Sequence, residues 1–109
     1  MSLEQHTETD RTDHEIAKAQ LRGTLLTECI GKPNATSGKE LAAETPVSSS
    51  TVRDLIKELR AEGIPVFSLG NGYFVINSAA EFRTCIERIN DEIATREETK
   101  KELYAAVVQ

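Results

Sequence analysis

The stretch that most constrains the fold is GIPVFSLGNGYFVI, residues 63–76. It reads as two β-strand runs, Val66–Leu69 and residues 73–76, folded back on each other across Gly70-Asn71-Gly72. Asn and Gly tolerate the positive φ that tight hairpin turns demand. A two-stranded ribbon is marginal in water by itself, so Val66, Phe67, Phe74 and Ile76 need an apolar partner elsewhere in the chain. The preceding segment offers one. Ser48 has the character of an N-cap, and Val52, Leu55, Ile56 and Leu59 then fall on one face of a helix running to about Glu62. Gly63 is placed to cap it, and Pro65 prevents its continuation.

A second, shorter helix precedes this one. Ser37-Gly-Lys-Glu40 has the capping-box pattern and predicts a helix over Gly38–Glu44 with Leu41 and Ala42 inward, ended by Thr45 and Pro46. Upstream, Asp13 is a candidate N-cap with Glu15 in the first turn. Ile16, Ala19, Gly23, Leu26 and Ile30 form the expected buried stripe, flanked by Leu25 and Cys29. Gly31 and Pro33 stop this helix, and residues 32–36 read as a loop. The last segment, 78–108, is capped by Ser78 with Glu81 three residues on. It gives a helix of about 45 Å. Its Phe82, Ile86, Ile89, Ile93, Leu103 and Val107 keep a heptad register that Arg96 and Lys100 interrupt.

Helix, capped short helix, sharp turn, helix, hairpin, helix is the order of a winged helix-turn-helix. The expected fold class is mainly α with a two-stranded β-hairpin wing and a long C-terminal helix. Residues 1–12 form a disordered acidic tail, 13–77 the winged domain and 78–109 a dimerisation element. Residues 37–76 also resemble the N-terminal DNA-binding domain of the bifunctional biotin ligase repressors and related small winged-helix regulators. The shared features are S-G-x-x-L-A from Ser37, V-S-x-x-T-V from Val47, L-R-x-x-G from Leu59 and G-x-G-Y from Gly70. The resemblance implies double-stranded DNA as partner. No ligase domain and no nucleotide or biotin motif accompanies it, so ligase activity is not implied.

Helical geometry then nominates the DNA-facing residues. With Val52, Leu55, Ile56 and Leu59 on the core side, Ser49, Ser50, Thr51, Arg53 and Lys57 lie on the outer or flanking surface, near the end that such motifs present to the major groove. Arg53 has the planar fork that reads guanine. Lys57 and Arg60 suit backbone phosphate. Lys39 is a candidate phosphate contact beside the amides of Ser37 and Gly38. Asn71 in the wing either reaches DNA or merely makes the turn. Arg53 and Lys57 have a plainer alternative, pairing with Asp54, Glu58 or Glu62 on a solvated face.

Composition narrows the rest. The chain of 109 residues carries a formal net charge of -5, which disfavours a generic polyanion binder. The acidity is concentrated in residues 1–15, whereas residues 31–76 balance their charges, so surface placement decides any nucleic-acid binding. Cys29 and Cys85 lack metal-ligand spacing, and with no signal peptide they read as buried free thiols in a soluble, cytoplasmic protein. His6 and His14 join no catalytic constellation. No enzyme, cofactor, metal, membrane or small-molecule ligand is expected. Phe82, Ile86, Ile89 and Ile93 pack either against a second copy or against the chain's own first helix along Leu21, Leu25 and Cys29. The length of the stripe, which extends to Leu103, points to a homodimer through the C-terminal helix, with Arg96 and Lys100 either limiting its stability or selecting an antiparallel partner. The competing expectation is a winged-helix module that binds protein instead of DNA.

Overall fold

The computed structural model describes residues 2–45, 47–70 and 72–108, with the backbone alone over 2–12. Pro46, the expected helix stop, and Asn71, the expected wing contact, lie outside the described residues. The chain divides after Ile76 into two units, described in turn.

The first unit contains α1 (Ser2–Glu28), a 3₁₀ turn (Lys32–Asn34), β1 (Thr36–Ser37), α2 (Gly38–Glu44), α3 (Ser49–Ala61), β2 (Val66–Leu69) and β3 (Gly72–Val75). Both motif helices start where the caps place them. Ser37 Oγ accepts from the Glu40 amide at 3.1 Å, and Ser48 Oγ accepts from the Thr51 amide at 3.2 Å. Helix α3 ends in a Schellman motif: the Gly63 amide bonds to the Arg60 carbonyl and the Ile64 amide to the Leu59 carbonyl, each at 3.0 Å. Gly63 accordingly sits at φ 99°, and Gly70 opens the hairpin turn at φ 58°.

Three features depart from the sequence reading. The wing belongs to a three-stranded antiparallel sheet of order β1-β3-β2, not a two-stranded ribbon. Thr36 pairs with Tyr73 and Ser37 with Gly72, so part of the expected 32–36 loop is a strand. Two residues are too few to show any alternation, and only β3 creates the pairing. Helix α1 begins at Ser2, well before Asp13. Residues 2–12 contain neither Gly nor Pro, and nothing in their chemistry breaks a helix.

The buried stripe of α1 is also rotated from the expected one. Leu21, Leu25 and Cys29 are fully buried and Ala17 nearly so, whereas Ile16 and Leu26 are exposed, as are Ala19 and Gly23. Residues 17, 21, 25 and 29 make a four-residue ridge, which packs against Leu41, Val52, Leu55, Ile56 and Leu59 in a single cluster. The sheet contributes Val66 and Val75 to that cluster. By the two-residue period of a strand, their neighbours Phe67 and Phe74 fall on the other face, where the rings meet edge-on at 5.7 Å. The helix-facing wing residues are therefore the valines.

Polar contacts reinforce the α1–α3 packing. His14 Nε2 lies 3.0 and 3.1 Å from the two Glu58 carboxylate oxygens, and Lys18 Nζ donates to Glu62 at 2.8 Å and to Glu58 at 3.5 Å. The hydrogen bond from His14, followed by the charges of His14 and Lys18, holds the Glu58 carboxyl below its ordinary 4.5. A depressed carboxyl stabilises the fold above its unfolded value and loses that contribution as pH falls through the folded one. Glu58→Gln is expected to remove this share of the acid sensitivity. Thermal melts between about pH 3 and pH 7 should show a shallower decline below 4.5 than in the parent.

The second unit is α4 (Ala79–Val108). Ser78 Oγ accepts from the Glu81 amide at 3.1 Å, and the Glu81 carboxylate accepts from the Asn77 amide at 2.6 Å. These are the contacts anticipated for the Ser78 cap. Cys29 and Cys85 are both buried, and neither is in a disulfide, as expected.

Candidate nucleic-acid interface

Helix α3 presents its outer face because its other face is committed to the core. Val52, Leu55 and Leu59 have no exposure and Ile56 almost none. The helical period then leaves Ser49, Ser50, Arg53 and Lys57 in solvent. A groove of about 360 Å³ lies beside this face. Its walls come from three places: Ser49 and Arg53 on α3, residues 37–39 at the start of α2, and Gly70 and Tyr73 of the wing. Lys39 and Arg53, 14 positions apart in sequence, are thus the two cations of one concavity.

Of the nominated residues, Lys39, Ser49 and Arg53 converge on this groove, whereas Ser50, Thr51 and Lys57 are not among its lining residues. Ser50 and Thr51 place their hydroxyls 3.0 and 2.9 Å from Ser48 Oγ, completing the cap of α3. Lys57 stands exposed one turn beyond Arg53. Arg60 is used internally: its Nε donates to the Val66 carbonyl at 2.6 Å, strapping the end of α3 to β2. That bond ties one edge of the guanidinium to the wing.

Two of the three acids in the plainer alternative for Arg53 have other partners. Glu58 and Glu62 are engaged by His14 and Lys18 from α1. Among the described residues, no ion pair holds the Arg53 guanidinium, so its fork is available to a ligand.

Tyr73 is the groove residue that the sequence reading missed. It is half-buried, and its ring lies where a Cβ on Gly38 would come within 3.2 Å of it. The one available signal is the glycine that follows the Ser37 cap, which leaves room for the ring. The wing carries no Lys or Arg between Val66 and Val75, and among the described residues its contributions to the groove wall are Gly70 and Tyr73.

On α4, Phe82, Ile86, Ile89, Ile93 and Leu103 are all exposed, Leu103 the most at 62 %. Among the described residues, no helix is long and apolar enough to cross a membrane. No His, Cys, Asp or Glu cluster among them is arranged to hold a metal.

Comparison with curated proteins and with solved structures returns no significant match. The family model described as an HTH domain matches residues 24–74, from the last turn of α1 through β3. That segment contains every element that walls the groove and ends at Phe74, inside the wing. Residues 24–74 therefore combine similarity to a helix-turn-helix domain with the element order of a winged helix-turn-helix fold.

Proposed function

We propose that the protein is a sequence-specific double-stranded DNA-binding regulator that acts as a homodimer, with α3 in the major groove. The observation that carries this reading is the shared groove. It gathers Arg53 and Ser49 from the first turns of α3, Lys39 from α2 and the edge of the wing, and its one aromatic lining residue, Tyr73, is itself packed against the core. A protein-docking face buries aromatic or aliphatic anchors, whereas short hydroxyls and unpaired cations suit base edges and phosphates. Arg53 reads a base, Lys39 and Lys57 touch phosphate, and Tyr73 brings the wing against the backbone. Doubling through α4 matches two such helices to two half-sites.

The test is selection of host genomic fragments by the purified full chain at about 50 and 150 mM salt. Enrichment of a roughly palindromic fragment that persists at the higher salt supports the proposal. About three cations per subunit, or six per dimer, predict that log K falls with log salt at a slope of about -5. No binding at either salt by folded protein overturns it in favour of a protein-binding module.

A further inference from the structure

The exposed stripe of α4 has an internal feature that chooses its partner and its orientation. In heptad terms Phe82, Ile89, Arg96 and Leu103 occupy d positions, and Ile86, Ile93, Lys100 and Val107 occupy a positions. The apolar members are exposed along the whole helix, from Phe82 at 51 % to Val107 at 83 %. This seam spans nearly four heptads, the length that a coiled coil needs. The two cations interrupt it just past its centre.

We propose that α4 pairs with α4 of a second copy in an antiparallel, two-fold symmetric register centred between Ala94 and Thr95. The proposal rests on the homodimer reading above and adds its geometry. In this register Phe82 faces Val107, Ile86 faces Leu103, Ile89 faces Lys100 and Ile93 faces Arg96. Every layer joins an a to a d position, as antiparallel pairing requires. Each cation lays its alkyl stem on an isoleucine and carries its head to the edge of the seam.

The charges are self-complementary in the same register. Arg96, at a d position, leans toward the flank that holds the g residues. Glu92 is a g residue, and the dyad brings Glu92 of the second copy to the level of Glu97, about 1.5 Å along the axis from Arg96. Two symmetric Arg96–Glu92 pairs result. In the present structure Glu92 forms an ion pair with Arg88 at 3.6 Å, an exposed i,i+4 pair that is readily exchanged. Lys100 leans to the opposite flank, where Glu97 of its own helix lies one turn away.

A parallel, in-register pair inverts this. It stacks Arg96 on Arg96 and Lys100 on Lys100, and sets Glu92 beside Glu97 of the second copy, so like charges meet at successive levels. The charge order along one helix therefore selects the antiparallel partner.

Glu92→Arg gives the two orientations opposite signs. Sedimentation equilibrium of the full chain should show a dimer that weakens about tenfold in Glu92→Arg and recovers when Arg96→Glu is added. A dimer strengthened by Glu92→Arg would overturn the antiparallel register, because relief of a Glu92–Glu97 clash marks the parallel one. Spin labels on Ala106→Cys, an exposed position in a chain whose own thiols are buried, provide a second readout. They should lie about 35 Å apart, against about 10 Å in a parallel pair. A parent chain that stays monomeric at all concentrations would overturn the homodimer itself, while a dimer with the short distance would overturn only its orientation.

Discussion

Arg53→Ala is expected to lower affinity for the selected fragment about 5- to 150-fold and to relax the base preference at one position of each half-site. This corresponds to about 1–3 kcal/mol for a bidentate contact. The loss should be confined to binding. Arg53 is exposed on α3 and no ion pair ties it to the fold, so the thermal transition should stay within the range of a surface substitution, about 0.5 kcal/mol. Arg53→Lys separates the two parts of the role. A lysine keeps the attraction to phosphate but lacks the planar fork, so binding to random DNA should persist while the preference for the selected fragment falls. Titration of both variants against the selected and a scrambled duplex measures this. An unchanged preference between the two duplexes in Arg53→Lys would show that Arg53 only touches phosphate.

Leu55→Ala is expected to destabilise the first unit by about 2–5 kcal/mol. Leu55 has no exposed surface and lies in the cluster formed with Leu21, Leu25, Leu41, Leu59 and Val66. Its loss removes burial and leaves a cavity where α1, α2, α3 and the sheet meet. A small domain has total stability of about 5–15 kcal/mol, so this single change consumes much of it. Urea unfolding should show a lower midpoint with little change in slope. The same cavity loosens the groove, because α3 and the wing are both held by this cluster. DNA binding should fall in proportion to the unfolded fraction, unlike the selective loss in Arg53→Ala.

The legible parts of the fold were those with short-range chemistry. Ser37, Ser48 and Ser78 each satisfy an amide three residues on, as their side chains predict. The stripe of Val52, Leu55, Ile56 and Leu59 lies within a helix whose ends are marked by Ser48 and Gly63, which left little choice of face. Helix α1 offered two plausible faces, one through Ile16 and Leu26 and one through Leu21 and Leu25. Composition alone did not separate them, because apolar residues occur on both. The core chose the second, with Ala17 completing the ridge.

The candidate site was half visible. Arg53 and Ser49 follow from helical geometry once the buried face of α3 is known, and Lys39 follows from its place behind the Ser37 cap. Tyr73 does not follow, because it reaches the groove through the pairing of β1 with β3. Arg60 read as a free cation, and only the return of the chain through Pro65 puts the Val66 carbonyl within reach. His14 had no visible task because its partner, Glu58, is 44 residues away.

Local sequence chemistry specifies where α2, α3 and α4 begin, where the hairpin turns, which residues of α3 face the core, and hence which side of α3 is left to solvent. Each follows from contacts within one or two turns of chain, where side-chain chemistry and backbone preference act directly. Tertiary structure decided the third strand, the buried face of α1, the pairing of Glu58 and Glu62 with α1, and the convergence of Lys39, Arg53 and Tyr73. Those depend on which distant segments meet. Their partners are selected by the shared packing of Leu21, Leu25, Leu41, Val52 and Leu55, a collective property that no local window contains.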